Sequence, residues 1–180
     1  LGTAALNAGL IAGIIGFALV GLFMTLWYRL PGLVATVALV IYVIANIALI
    51  KTIPVTLTAS GIAGLILSIG MAVDANVLIF ERMKEELRKG DTVREALTIG
   101  FSRAWPAIRD GHLTMIISSV ILFWLGTSIV QGFALVFGFG VIISLISAVF
   151  ITRIFLLAIL PEDMKGWGRY LLGAGFKLKP

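Results

Sequence analysis

The chain has 180 residues, of which 60% are hydrophobic and only 13% are charged, and its formal net charge is +5. Its mean hydropathy is +1.11, and its apolar share lies above the roughly 45 to 50% that is typical of soluble domains. A water-soluble globule is therefore excluded, and the composition predicts a membrane protein. With no cysteine and one histidine, the chain cannot form a disulfide framework or a zinc site by itself, and we expect no cofactor.

Five apolar stretches are long enough to cross a bilayer core, which requires about 20 residues per helix. They lie at about residues 6–27, 30–50, 55–80, 108–125 and 130–160. The first two are separated only by Tyr28-Arg29, which predicts an antiparallel hairpin, and Pro54 interrupts the chain before the third. We predict an all-α, polytopic transmembrane bundle of five spanning helices within residues 1–160, followed by a cytoplasmic tail at 161–180.

The segment between the third and fourth stretches, residues 81–105, is the only strongly charged part of the chain. Gly90 is typical of a helix end, and Thr92 with Glu95 predicts a capping box that starts a new helix. Small or apolar residues recur on one face of that helix at Val93, Ala96, Leu97, Gly100, Phe101 and Ala104. The pattern predicts an amphipathic helix in the cytoplasmic interface, with a solvated hairpin as the alternative.

The distribution of Lys and Arg predicts the orientation of the bundle. If Arg29, the segment 81–110 and the tail all face the cytoplasm, twelve of the fourteen basic residues lie on that side, Arg153 falls within the fifth stretch, and only Lys51 lies outside. This asymmetry is the positive-inside pattern, so we expect the N-terminal end outside and the C-terminus inside. Because the basic residues sit between apolar runs and not on one polar face, we expect contact with membrane lipids and not with nucleic acid.

Small residues recur at helical spacing in the third and fifth stretches. Such stripes let helix backbones approach closely in lipid, and we expect them to be packing surfaces. The main positions are Gly61, Gly64 and Ser68, followed by Ala72 and Ala75, in the third stretch, and Gly140 and Ser144, followed by Ala148 and Thr152, in the fifth.

Asp74 is the only acidic residue in the interior of an apolar stretch, since Asp110 lies at the very start of the fourth. A carboxylate within a membrane costs several kcal/mol unless it is protonated, paired or hydrated, so such residues usually mark functional sites. We predict a functional-site residue, and the alternative is a protonated or hydrogen-bonded core residue. Asn76 lies about 200° further around the helix and is expected to be a supporting polar group that does not share a partner with Asp74.

Three polar residues at the start of the fourth stretch, Asp110, His112 and Thr114, are candidate partners of Asp74. At 1.5 Å per residue, Asp74 lies about 24 Å from Thr58, and Asp110 lies at nearly the same depth counted back from Gly126. We therefore predict that the two stretches pack side by side, with one of these polar side chains next to Asp74. For His112 a proton relay and a structural hydrogen-bond donor are both open.

Several motifs together identify a family. These are Leu57-Thr58-x-x-Gly61-Ile62-Ala63-Gly64, Gly70-Met71-Ala72-Val73-Asp74-Ala75-Asn76-Val77-Leu78-Ile79-Phe80-Glu81-Arg82, Lys84-Glu85-Glu86-Leu87-Arg88-x-Gly90, Val93-Arg94-Glu95-Ala96, Gly100-Phe101, Gln131-Gly132-Phe133-Ala134 and Thr152-Arg153. The chain closely resembles the SecD family of protein-export membrane proteins. Its sister family, SecF, has a similar layout but a different sequence around the intramembrane acid.

The resemblance implies helices two to six of a six-helix half of a resistance-nodulation-division type transporter, in a bacterial or archaeal cytoplasmic membrane. It implies a protein that is not an enzyme and that uses the proton-motive force, together with SecF, to promote late translocation of preproteins through SecYEG. Asp74 matches the acid implicated in the proton path of that family, although Asp74 would suit either a proton or a sodium ion. His112 stands where Asn is usual, and Gly111 where Ala is more typical.

Two other functions are consistent with the same residues. The chain could be a passive membrane anchor that docks SecF and SecYEG, with all force transmission elsewhere in the protein. It could also belong to a lipid or drug exporter of the same superfamily, which would need a substrate cavity with aromatic lining and a fused second half.

Overall fold

The computed structural model describes residues 2–53 and 58–160, except for the side chains of Gly2 and Ala5. Within these ranges the regular structure is entirely helical, as predicted, and contains no strand. The helices are α1 Gly2–Thr52, α2 Ala59–Lys89, α3 Val93–Leu125 and α4 Ser128–Ile146, followed by a π-helix Ser147–Thr152 and α5 Arg153–Ile159. The predicted tail at 161–180 and the predicted break at Pro54 lie outside the described residues.

Four helical segments are apolar and long enough to cross a membrane, and the chain is therefore a multi-pass integral membrane protein. They are Leu6–Thr52, Ala59–Lys89, Val93–Leu125 and Ser128–Ile159, the last of which joins α4, the π-helix and α5. Many large apolar side chains point outward, and Trp124 and Leu125 are 80% and 83% exposed. Such a surface would be unfavourable in water but suits contact with lipid or with neighbouring helices.

Helix α1 is broken at Arg29, whose backbone adopts the left-handed φ of 50° with ψ of −116°. A Cβ built on Gly21 would lie 3.2 Å from Cγ2 of Thr36, whereas a straight helix would separate these residues by about 22 Å. A Cβ at Gly32 would collide with the carbonyl oxygen of Met24. The chain therefore folds back on itself near Arg29, as the short Tyr28-Arg29 link predicts.

The turn between α2 and α3 is determined by local capping. Gly90 has a φ of 104°, and its N–H donates to the carbonyl oxygens of Glu86 and Leu87. The Thr92 hydroxyl accepts from the Glu95 N–H, and the Glu95 carboxylate accepts from the Thr92 N–H. The predicted helix end and the predicted capping box are both confirmed.

Helix α3 runs without interruption from Val93 to Leu125 and includes Pro106. The expectation of a separate helix in the membrane interface is not confirmed, because the predicted apolar face is buried within the protein. A Cβ built on Gly100 would lie 2.7 Å from the Met83 amide nitrogen, so the backbones of α3 and α2 are in close contact. The buried positions Ala104, Ile108 and His112 continue the same face at a spacing of four, which explains why one helix forms.

An ion-pair cluster joins the end of α2 to the beginning of α3. The Glu86 side chain is only 5% exposed and contacts Arg103 of α3, and the Lys89 ammonium lies 2.8 Å from the same carboxylate. Arg103 also lies 3.3 Å from Glu85. One guanidinium therefore bridges two carboxylates of the neighbouring helix.

We expect Arg103→Ala to lower the thermal stability of the purified protein, because it leaves the largely buried Glu86 carboxylate without its partner from α3. Arg109→Ala is the matched control, since Arg109 is more exposed and, among the described residues, pairs only with its neighbour Asp110. Unfolding of both variants in detergent checks the prediction. Equal melting temperatures would show that the cluster does not stabilise the contact between α2 and α3.

Candidate functional site

Asp74 lies on α2 at the edge of a cavity of about 50 Å³ between α2 and α3. The other lining residues are Met71, Ala75 and Leu78 of α2 and Ala107, Ile108, Gly111, His112 and Met115 of α3. In the described part of the chain Asp74 makes no hydrogen bond or ion pair, and its side chain is exposed. The cavity is large enough for water, so a water molecule there would be the first partner of the carboxylate.

His112 is the polar residue of α3 that shares this cavity with Asp74. Its ring is buried, with Nδ1 2.8 Å from the Ile108 carbonyl oxygen and Nε2 3.0 Å from the Ser144 hydroxyl oxygen. A carbonyl oxygen only accepts hydrogen bonds, so Nδ1 must carry a hydrogen. The imidazole is therefore held in one orientation between its own helix and α4, beside the cavity that Asp74 lines.

Asp110 and Thr114 do not line the cavity. Both side chains are exposed, and Asp110 pairs with Arg109 Nε at 2.9 Å. The Thr114 hydroxyl donates to the carbonyl oxygen of Asp110, one turn earlier on the same helix. Each lies two residues from His112, about 200° around the helix, so the face that buries His112 turns both of them away. Of the three candidate neighbours, the structure brings only His112 to the cavity of Asp74.

Asn76 is buried on a different face of α2 from Asp74. Its amide donates to the carbonyl oxygen of Ala72 at 3.0 Å, and its Oδ1 has no hydrogen-bond partner among the described residues. Asn76 does not line the Asp74 cavity, so no direct contact supports its expected role at that site.

The residues of the small-residue stripes lie between helices. A Cβ built on Gly64 would lie 2.7 Å from the carbonyl oxygen of Phe133, and one on Gly61 would lie 3.3 Å from Val136. A Cβ at Gly140 would collide with Ser68 Oγ. Close contacts of this kind bring α4 against α2 and thereby place Ser144 next to His112.

Two polar features of the core were not predicted. The Tyr42 hydroxyl donates to Ser68 at 2.6 Å inside the bundle, and Ser144, which we assigned only to packing, is the partner of His112. The sequence feature that pointed to Ser144 is its place in a stripe of small residues, because such a stripe packs closely against neighbouring helices. For Tyr42 the signal was a hydroxyl in the middle of an apolar run, which needs a partner once it is buried.

Residues 2–53 and 58–160 contain no group of three or more His, Cys, Asp or Glu side chains that could hold a metal ion. The site in the described chain thus consists of a carboxylate and an imidazole that line the same water-sized cavity.

Comparisons with known proteins point to one family. Residues 1–162 match the family model described as protein export membrane protein SecD/SecF, C-terminal. The protein translocase subunit SecD of Thermobaculum terrenum is 51% identical over 164 residues, covering 89% of this chain and 32% of that protein. The protein translocase subunit SecDF of Bacillus subtilis is 45% identical, covering 92% of this chain and 23% of that protein.

A solved structure has the same fold. The crystal structure of SecDF, a translocon-associated membrane protein from Thermus thermophilus, superposes with a TM-score of 0.85 at 33% sequence identity. The match covers 96% of this chain and 23% of that one. The chain spans about a third of the length of the SecD relative from Thermobaculum terrenum.

Proposed function

Since the chain belongs to the SecD/SecF family of protein-export membrane proteins, we propose that it is the proton-coupling membrane part of a protein-export subunit. The observation that carries this proposal is Asp74, a carboxylate inside a membrane-length apolar helix that borders a water-sized cavity and has no protein partner in the described chain. A carboxylate in such a place is unfavourable as a permanently charged group and is suited to binding and releasing protons.

In the proposed cycle, Asp74 takes up a proton from the outer side and releases it toward the cytoplasm. The charged form requires water or an opposite charge, whereas the neutral form tolerates an apolar surrounding. Protonation therefore changes which arrangement of α2 and its neighbours has the lower free energy. This change would be passed to the parts of the protein that act on the preprotein and would promote late translocation through SecYEG.

SecF is the proposed partner on the Asp74 side of the bundle. The side chain is exposed in this chain, and exposing a carboxylate to lipid is costly. A sister chain with a similar helix bundle would cover that face and complete the proton path. The SecDF relatives support this arrangement, because a single chain of that name contains a region similar to this one.

We propose five membrane crossings, with the two halves of α1 on either side of Arg29 counted separately. The N-terminal end would lie outside, and Arg29, the turn at Gly90 and the tail would lie in the cytoplasm. A cysteine at Lys89, whose side chain is 60% exposed, should then react with an impermeant thiol reagent only after the cells are opened. A cysteine at Lys51 should react in intact cells, and the reverse result would overturn the orientation.

Export driven by a proton gradient tests the function itself. Membrane vesicles that lack this protein are supplied with the full-length protein and SecF, and preprotein translocation is measured with and without an imposed proton gradient. We expect the gradient to increase late translocation only in the supplied vesicles. Equal rates with and without the gradient would favour a passive anchor. Stimulation by a sodium gradient alone would show that the coupling ion is sodium and not the proton.

A further inference from the structure

The three hydrogen bonds around His112 and Ser144 cannot all exist while the imidazole is neutral. Nδ1 of His112 faces the Ile108 carbonyl oxygen and must therefore donate. The Ser144 hydroxyl lies 2.8 Å from the Val141 carbonyl oxygen and 3.0 Å from Nε2 of His112. The hydroxyl has one hydrogen, so it donates to only one of these two acceptors at a time.

Two states follow from this count. When the imidazole is neutral, Nε2 has a lone pair, and the Ser144 hydroxyl donates to it and leaves the Val141 carbonyl oxygen. When the imidazole is charged, Nε2 donates to the Ser144 oxygen, and the Ser144 hydroxyl donates to Val141. The ring stays in place in both states because Nδ1 donates to Ile108 in each.

We propose that His112 and Ser144 form a second proton-binding unit of this site, in which the Ser144 hydroxyl reorients whenever His112 gains or loses a proton. This inference deepens the proposed role of Asp74 and rests on it. The unit links the three helices around the site, because His112 belongs to α3, Ser144 to α4, and the cavity beside the ring is shared with α2.

Among the residues that line the cavity beside His112, Asp74 is the charged one, and it belongs to the neighbouring helix α2. Helix α4 contains no charged residue between Ser128 and Ile146. On α3, Arg109 and Asp110 pair with each other on the exposed side of the helix. The charged residues of α1 in the described chain, Arg29 and Lys51, lie at the break and at the last turn of that helix.

The proton balance is simple. A proton that leaves the carboxylic acid of Asp74 through water in the cavity ends on Nε2 of His112. The products are a carboxylate and an imidazolium, so the net charge of the pair does not change. No covalent bond of Ser144 is broken, because its hydrogen only turns from Nε2 to the Val141 carbonyl oxygen.

Nitrogen NMR of histidine tests the unit directly in the full-length protein, labelled with ¹⁵N-histidine and held in lipid nanodiscs. His112 is the single histidine of this 180-residue chain, and a difference spectrum against His112→Asn assigns its signals. We expect the Nδ1–H tautomer at high pH and the imidazolium at low pH. An Nε2–H tautomer at high pH, or a ring that stays neutral down to pH 5, would overturn the proposal.

Two variants test the coupling to Asp74 and to Ser144. Removing the negative charge with Asp74→Asn should lower the imidazolium share of His112 at a fixed pH by about three- to ten-fold. Asp110→Asn, on the exposed side of α3, should leave that share unchanged. Ser144→Ala should shift the Nε2 signal but not the Nδ1 signal. An imidazolium share that does not respond to Asp74→Asn, or responds equally to Asp110→Asn, would contradict the pairing.

The pH titration of His112 is measured on the wild-type protein, and His112→Asn serves only to assign the signal. The test therefore remains even if Asp74→Asn or Ser144→Ala fails to fold. The NMR result is also independent of export. If His112 titrates as expected while Asp74→Asn exports normally under a proton gradient, the proton-binding unit stands and the proposed function is wrong. If Asp74→Asn abolishes the gradient-dependent export while His112 stays neutral, the proposed function stands and the proton-binding unit is wrong.

Discussion

Asp74→Asn is expected to abolish the part of preprotein export that depends on the proton gradient. The substitution keeps nearly the same volume but removes the group that binds the proton. Translocation should fall to the rate seen without a gradient, while insertion into the membrane and assembly with SecF remain normal. The reason is that Asp74 has no hydrogen bond or ion pair in the described chain whose loss would unfold the bundle.

The measurement is export in vesicles with an imposed gradient, together with the amount of assembled protein in the membrane. Asp110→Asn is the matched control, because it makes the same chemical change at an exposed carboxylate outside the cavity. Asp74→Glu keeps a titratable carboxyl and should retain part of the stimulation. Full stimulation in Asp74→Asn would rule out its role in the proton path, and loss of assembly would favour a structural role.

Gly64→Ala is expected to destabilise the bundle more than the same substitution at Gly61 or Gly70, the other glycines of α2. The new Cβ would lie 2.7 Å from the Phe133 carbonyl oxygen and 3.2 Å from the Phe137 amide nitrogen. Both contacts are with backbone, which cannot move aside by changing a rotamer, so α2 and α4 would have to separate. Overpacking of this kind typically costs about 1 to 3 kcal/mol, against a gain in helix propensity of up to about 1 kcal/mol.

Gly70→Ala on the same helix is the control for this prediction. A Cβ at Gly70 meets no atom within 4 Å, so only the helix propensity changes and stability should be equal or slightly higher. Thermal unfolding of the two variants in detergent gives the comparison. If Gly64→Ala melts at the same temperature as Gly70→Ala, the close approach of α2 and α4 is not a source of stability.

A membrane fold, helical structure throughout the described residues, and the helix ends near Gly90 and Thr92 could be predicted from the sequence. Composition and local chemistry decide these features, because about 20 apolar residues match the bilayer, and a left-handed glycine or a capping box acts within one turn. Asp74 could be selected for the same kind of reason, since an acid in an apolar run is unusual wherever its neighbours lie. The depth of Asp110, His112 and Thr114 also followed from the helix rise.

Only the tertiary structure decided which of these three residues meets Asp74. They share nearly one depth, and the choice depends on how α3 is rotated, which is determined by the close contact of Gly100 with Met83 and by the burial of Ile108. The same packing joins the expected interface helix to the fourth stretch as one helix. It also turns Ser144 from a small packing residue into the partner of His112, because the direction of a side chain depends on contacts between helices that are distant in sequence.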